Sequence, residues 1–257
     1  VLDGSDAVTA NTALSYMQAL IQRVSTDTER QWALRAGLKE AMLSALDVRT
    51  QVLYNPELNS AAFVVPGLIG VVMALMAALL TSTCIVRERE VGTMEALLAT
   101  PVRASEVILG KLLPYAGLAM IDIALCVAAG AAIFGVFPRG SLVQLIVVSA
   151  GFVLACLAMG LAISGLAGSQ RTAIVGGIMT LMLPTILLSG FIFPIENFPR
   201  VLQGVAYLLP ATHYLVAMRV IYLRAVSLLL FWRYLLALAV LMVVMLAAAV
   251  KVFRAKL

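Results

Sequence analysis

Arg87-Glu88-Arg89-Glu90-Val91-Gly92-Thr93-Met94-Glu95 lies between two long apolar runs, the 23 residues from Phe63 to Ile85 and a second that begins at Leu112. Five charges in nine residues exceed what a chain needs merely to turn around between such runs. The insert closes with Ala96-Leu97-Leu98-Ala99-Thr100-Pro101. It reads as a short helix over about 87–100 that lies against a membrane and faces a water-soluble partner. Gly92 allows the turn into that helix, and Pro101 bars its continuation. Met94, Leu97 and Leu98 recur at helical spacing and form an apolar face with Glu95 at its edge. Arg87, Glu88, Arg89 and Glu90 are expected to precede the helix and stay in water.

Working outward, apolar residues make up 63% of the chain, its mean hydropathy is +1.05, and charged residues are only 12%. That is about half the charge of a soluble domain. Runs of 18 or more apolar residues are candidate membrane spans. Five are visible: Phe63–Ile85, Leu112–Phe134, Leu142–Ser164, Ala173–Phe193 and about Leu229–Val250. The net charge of +5 does not indicate nucleic acid, because Lys and Arg sit mostly at span ends, where they set orientation. The loops 86–111, 165–172 and 251–257 hold eight basic residues; 135–141 and 194–228 hold four in a nearly equal length. The first group is therefore expected in the cytoplasm with the C-terminus, and residues 1–60 outside.

Residues 1–60 have a different character. Val8, Leu14, Met17, Ile21 and Val24 predict one helix, with Asn11 or Thr12 as N-cap, and Glu29–Leu46 a second. The alternation around Val48, Thr50, Val52 and Tyr54 predicts a strand. This is the pattern of a partial α/β domain, since one strand cannot close a sheet. The chain starts at Val1 without Met or a visible signal peptide. An earlier transmembrane helix, and the rest of the outer domain, are expected upstream.

The stretch 194–228 is apolar but broken. Pro194, Pro199 and Pro210 interrupt it, and Glu196, Arg200, Arg219 and Arg224 charge it. Neither half can cross about 30 Å of hydrocarbon. Two short re-entrant helices, Arg200–Leu208 and Ala211–Leu223, are expected to dip in from outside as a lid.

Asp122 sits about 15 Å into its span, counted from Leu112 at 1.5 Å per residue. A carboxylate at that depth faces protein or water. It either lines a substrate path or a moving helix interface, or is a protonated group bonded to a neighbouring helix. His213 is the only histidine; it forms neither a zinc site nor a triad and reads as a packing or hydrogen-bonding residue. Cys84, Cys126 and Cys156 lie inside apolar runs and read as buried thiols. Gly176-Gly177 and Pro184 allow close packing and a kink. No catalytic or metal-binding set is expected. No Gly-x-x-x-x-Gly-Lys-Ser/Thr occurs in these 257 residues.

The run Ile85-Val86-Arg87-Glu88-Arg89-Glu90-Val91-Gly92-Thr93-Met94-Glu95-Ala96-Leu97-Leu98-Ala99-Thr100-Pro101-Val102 resembles the coupling-helix region of ABC-2 type exporter permeases. Further stretches agree in order with the multidrug-type members: Asp3-Gly4-Ser5-Asp6 with Thr9-Ala10-Asn11-Thr12-Ala13, Tyr54-Asn55-Pro56-Glu57-Leu58-Asn59-Ser60, Gly110-Lys111-Leu112-Leu113-Pro114-Tyr115, and Ser189-Gly190-Phe191-Ile192-Phe193-Pro194-Ile195-Glu196-Asn197-Phe198-Pro199. Arg224-Ala225 departs from the family, where many relatives carry a basic residue and Gly.

The resemblance implies an α-helical membrane protein with six helices in the full fold, five of them visible here. Residues 1–60 would be the partial outer domain and 61–257 the transmembrane domain, in a bacterial inner membrane. It implies export of a drug, lipid or other hydrophobic substrate. ATP and Mg would be bound by two copies of a separate ATPase, docked on Arg87, Glu88, Arg89, Glu90, Gly92, Thr93, Met94, Glu95 and Leu98. A second permease, identical or a sibling, completes the complex in its lipid, with room for a periplasmic adaptor. The rival readings are a secondary transporter, which would need a repeat and ion ligands; an intramembrane hydrolase, which would need a nucleophile–base pair; and a membrane scaffold with an external sensor domain.

Overall fold

A computed structural model describes residues 2–3, 12–25, 52–53, 60–95, 103–223 and 232–254. The chain divides into two compact units, Val1–Phe63 and Val64–Leu257.

In the first unit, strand β1 (Leu2–Asp3) pairs in parallel with β2 (Val52–Leu53), in register Leu2 with Val52 and Asp3 with Leu53. Helix α1 covers 12–25, and the Ser15 hydroxyl donates to the Thr12 carbonyl at 2.8 Å in its first turn. Of the expected alternation over 48–54, Val52 and Leu53 are the described residues, and both are in the strand. A two-residue ladder gives too few cross-strand pairs to define a sheet, so the described residues do not make up the expected α/β domain. The helix expected over Glu29–Leu46 lies outside the described residues.

The second unit is helical. Helix α2 (Ser60–Ser82) breaks at Thr83 and resumes as α3 (Cys84–Val91). Next come α4 (Ala104–Phe134) and α5 (Leu142–Leu166). Helix α6 (Gln170–Gly177) continues through a π turn, Ile178–Met182, into α7 (Leu183–Leu187). After a 3-10 turn at Ile195–Asn197 come α8 (Arg200–Tyr207), α9 (Pro210–Leu223) and α10 (Trp232–Arg254). Among the described residues, five stretches are long and apolar enough to cross a membrane: Ser60–Val91, Ala104–Phe134, Leu142–Leu166, Gln170–Leu187 and Trp232–Phe253. Helices α8 and α9 form a pair bent by 78°.

Three span limits differ by six residues or more from those expected. The first span runs on to Val91, six residues beyond Ile85. The second starts at Ala104, eight residues before Leu112, because the polar first turns are also helical: the Glu106 carboxylate accepts from the Arg103 N–H at 3.0 Å and caps that end. The fourth ends at Leu187, six residues before Phe193. Pro184 has no N–H to donate, and a π turn precedes it, where the Leu183 N–H reaches back to the Ile178 carbonyl. Gly190, at φ +85°, then turns the chain.

Helix α5 is the centre of the unit. It packs against α3, α4, α6, α9 and α10, whereas most of α10 faces outward. Small residues bring α2 against its neighbours: a Cβ on Gly160 of α5 would overlap the Thr81 hydroxyl, and one on Gly177 would overlap the Ser82 hydroxyl. In hydrocarbon such close backbone approach replaces the hydrophobic effect as the source of packing.

Candidate functional site

The charged insert is where local chemistry and packing meet. Arg87, Glu88, Arg89 and Glu90 are the last turns of α3, not a segment preceding a helix. Once the backbone is helical, continuing it satisfies each new N–H at no nucleation cost. Gly92 stops it in the left-handed region at φ +80°, and the Gly92 and Thr93 N–H groups close on the Arg89 and Glu88 carbonyls at 3.3 and 3.0 Å. A new helical stretch begins at Met94 and Glu95. Met94 is buried and Glu95 exposed. Leu98 and the rest of the expected coupling helix lie outside the described residues.

The break at Thr83 leaves the first N–H groups of α3 without intrahelical partners. Thr83 offers no side-chain cap. Ser164, buried in the last turn of α5, does so instead: its hydroxyl accepts from the Ile85 and Val86 N–H groups at 2.9 and 3.2 Å.

Three successive residues of α3 then each engage a different helix. Glu88 pairs with Lys111 of α4 at 2.5 Å. The Arg89 guanidinium donates to the Gly165 carbonyl at 3.0 Å and to those of Ser164 and Ala167 at 3.4 Å, the negative end of α5. Glu90 accepts from the Gln170 backbone N–H at 2.9 Å, the positive start of α6, and also from the Gln170 side-chain amide. Glu90 lies past the apolar run and is exposed. The backbone and side-chain hydrogen bonds from Gln170 hold its carboxyl below the usual carboxylate range. Val86, Ala167 and Ala173 form a small apolar cluster at this junction. Arg87 and Glu95 face outward.

The opposite end is built differently. Pro194 and Pro199 precede the 3-10 turn and α8, and Pro210 is the first residue of α9, a position where its missing N–H costs nothing. Glu196 is exposed, and its carbonyl accepts from the Gln203 side chain at 3.4 Å. The two arms differ in burial: α8 exposes Val201, Val205 and Leu208, whereas α9 is enclosed from Pro210 to Leu215. At the elbow the Thr212 hydroxyl donates to the Ala206 carbonyl at 2.5 Å, and His213 Nε2 donates to the Tyr207 carbonyl at 2.9 Å. The Tyr207 carbonyl thereby gains a partner at the end of α8, and the Ala206 carbonyl, which also accepts from the Leu209 N–H at 3.1 Å, gains a second. Tyr214 stacks on Phe152 of α5, ring centroids 4.2 Å apart, with its hydroxyl 3.4 Å from Ser149. Arg219 donates to the Gly190 carbonyl at 3.0 Å and the Phe191 carbonyl at 3.4 Å.

Asp122 is half-buried on α4, one turn before Cys126. Its Oδ2 is buried and has no hydrogen-bond partner among the described residues, so a carboxyl bonded to a neighbouring helix through that oxygen is not observed. No group of three His, Cys, Asp or Glu that could hold a metal occurs among the described residues. Sequence reasoning missed Ser164, Gln170, Tyr214 and Phe152. Only Ser164, a lone hydroxyl in the last turn of an apolar span, carries a local signal.

A family model described as ABC-2 family transporter protein matches residues 1–251. Over 223 residues, 87% of its length, the chain is 36% identical to "Probable multidrug ABC transporter permease YbhS" of Escherichia coli K12, of which this covers 58%. It is 32% identical over its whole length to "Probable multidrug ABC transporter permease YbhR" of the same organism, covering 67% of that protein. A more distant relative is "Inner membrane transport permease YhhJ", 26% identical over 198 residues, 73% of this chain and half of that one.

Proposed function

The chain belongs to the ABC-2 family of transporter proteins, and from that premise we propose that it is the membrane-spanning permease subunit of an ATP-driven exporter. The observation that carries this reading is the polar end of α3 beyond the apolar span, with Arg87 and Glu95 facing outward on either side of Gly92. Two ATPase subunits dock there, with ATP and Mg on their side. ATP binding and hydrolysis shift the balance between two states of the membrane helices, which requires that the partner bind the two states with different affinity. The substrate is a drug, lipid or other hydrophobic compound, and the path runs between this permease and a second, identical or sibling copy. Residues 87–95 face the cytoplasm of a bacterial inner membrane, as does the C-terminus, and α8–α9 form a lid on the outer side. Residues 1–60 form part of an outer domain. A periplasmic adaptor fits the same arrangement.

The test is Glu95→Lys in the assembled complex. Substrate-stimulated ATP hydrolysis should be lost while membrane abundance is kept; normal export by this variant overturns the docking reading. Asp122 favours a role on the path, because a midplane carboxylate with an unpaired buried oxygen suits a moving or polar surface better than static packing. Asp122→Asn should then change transport or substrate preference at unchanged abundance. If export persists without any ATPase, a secondary transporter replaces this reading; if no transport is found at all, a scaffold does.

A further inference from the structure

We propose that Gln170 and Ser164 are positioning residues that pass a displacement of α3 into the span Gln170–Leu187, and so to the bent pair α8–α9. The inference rests on the reading of α3 as the ATPase-facing element, and it names the part of the permease that receives the movement.

The three attachments of α3 differ in slack. Glu88–Lys111 joins two long side chains, so α3 can shift against α4 while the charges stay in contact. Arg89 reaches three carbonyls with one guanidinium nitrogen and can trade one for another as it slides along the end of α5. Glu90 has neither freedom. Its two oxygens are both taken by one residue, and one of the two donors is the Gln170 backbone N–H at 2.9 Å. A two-point bond that includes backbone ties α3 to the first turn of α6 itself. Ser164 supplies the complementary fixed point: it holds the Ile85 and Val86 backbone, so α3 pivots against the end of α5 rather than drifting from it. The Val86–Ala167–Ala173 cluster packs this junction with small side chains.

What lies beyond α6 is suited to receive such a push. Gly177 abuts Ser82 closely, so the first half of this span is held against α2. The π turn Ile178–Met182 and Pro184 follow directly, an irregular winding that can take up a change of register. Past α7, the Gly190 and Phe191 carbonyls receive Arg219 of α9. One span therefore has a backbone hydrogen bond to α3 near its start and backbone carbonyls bonded to the bent pair just past its end.

The experiment uses the assembled complex with its ATPase and second permease in proteoliposomes, in a background without Cys84, Cys126 and Cys156. Glu196→Cys is labelled with an impermeant maleimide with and without ATP. The expected result is a labelling rate that depends on nucleotide. Gln170→Glu, which sets a carboxylate against Glu90, should reduce that dependence roughly fivefold or more, the scale of a coupling free energy, while ATP hydrolysis persists. The swap Glu90→Gln with Gln170→Glu regenerates an amide–carboxylate pair and should restore it. If Gln170→Glu does not assemble, Gln170→Ala takes its place and should act in the same direction. Labelling insensitive to nucleotide in the parent protein, unchanged dependence in the Gln170 variants, or no rescue by the swap each overturns the proposal. Cross-linking of Glu95→Cys to the ATPase reports separately on docking. If that cross-link forms and the Gln170 variants behave as the parent, only the transmission fails; if it never forms, the docking reading itself fails.

Discussion

The charged end and the bent-pair end are both places where helix termini must be closed, and they close them with opposite materials. At the charged end Glu88, Arg89 and Glu90 reach from one short helix to three others; the Glu90 contact is open to water and the Arg89 contact partly so, while the Lys111 ammonium beside Glu88 is enclosed. At the bent-pair end the fixing groups are enclosed: Tyr214 on Phe152, Thr212 on the Ala206 carbonyl, and His213 on the Tyr207 carbonyl. Exposed ionic contacts are individually weak and screened by salt. Enclosed aromatic packing and buried hydrogen bonds are costly to lose. The difference assigns shape to the bent pair and adjustability to the charged end.

The sharpest way to break that contrast is to remove its heaviest member. Tyr214→Ala should lower stability by about 4 kcal/mol, as large-to-small aromatic substitutions in cores do. Tyr214→Phe keeps the stack with Phe152 and should cost only about 1 kcal/mol for the Ser149 bond. Equilibrium unfolding in detergent measures both; equal losses would mean that the hydroxyl, and not the stack, holds α9.

Next in size is the buried base of the charged end, which limits how far the contrast extends. Ser164→Ala leaves the Ile85 and Val86 N–H groups without their acceptor and should cost about 2 kcal/mol. Gly160→Ala, which drives a methyl into the Thr81 hydroxyl, belongs in the same range. Adding Thr81→Ala should recover part of it, a double-mutant cycle read by thermal aggregation midpoint. Additive losses would place the clash elsewhere.

Arg89→Met tests the outer layer of the same end. It retains an unbranched apolar stem and loses the donors, and should cost less than about 1 kcal/mol, shrinking further in high salt. A loss as large as that of Tyr214→Ala would erase the distinction between the two ends.

The smallest effect is a proton. The Glu90 carboxyl is held low, so its bond to Gln170 contributes fully at pH values above about 4.5 and is lost as the pH falls through the lower folded-state value. The Gln170 amide resonance should follow that titration and stay flat in Glu90→Gln. Movement of the resonance at neutral pH would contradict the direction of the shift.

Much of this was legible in the residues. All five apolar runs are helices of spanning length, and both arms of the bent pair start and stop within a residue of the expected limits, because proline and chain-long apolarity act locally. Arg87–Glu90 were expected in water ahead of the helix; Arg87, Arg89 and Glu90 are exposed, but all four are helical, and Lys111, the Ser164–Ala167 carbonyls and Gln170 receive the side chains of Glu88, Arg89 and Glu90. The unequal burial of α8 and α9 had no local signal: α9 has the stack on Phe152 and the carbonyls of Gly190 and Phe191, while α8 exposes Val201, Val205 and Leu208.

Sequence alone determined that this is a helical membrane protein, where its spans lie, and that a charged element interrupts them, since hydropathy, proline and glycine act through the bonds of a few neighbouring residues. Only the tertiary structure decided which charges are already spoken for. Glu90 and Gln170 stand eighty positions apart in the chain, and nothing local distinguishes Glu90 from Glu95. Their different fates follow from where packing of α2, α5 and α6 brings the helix ends together, and therefore from the small residues, Gly160 and Gly177 among them, that let those helices approach.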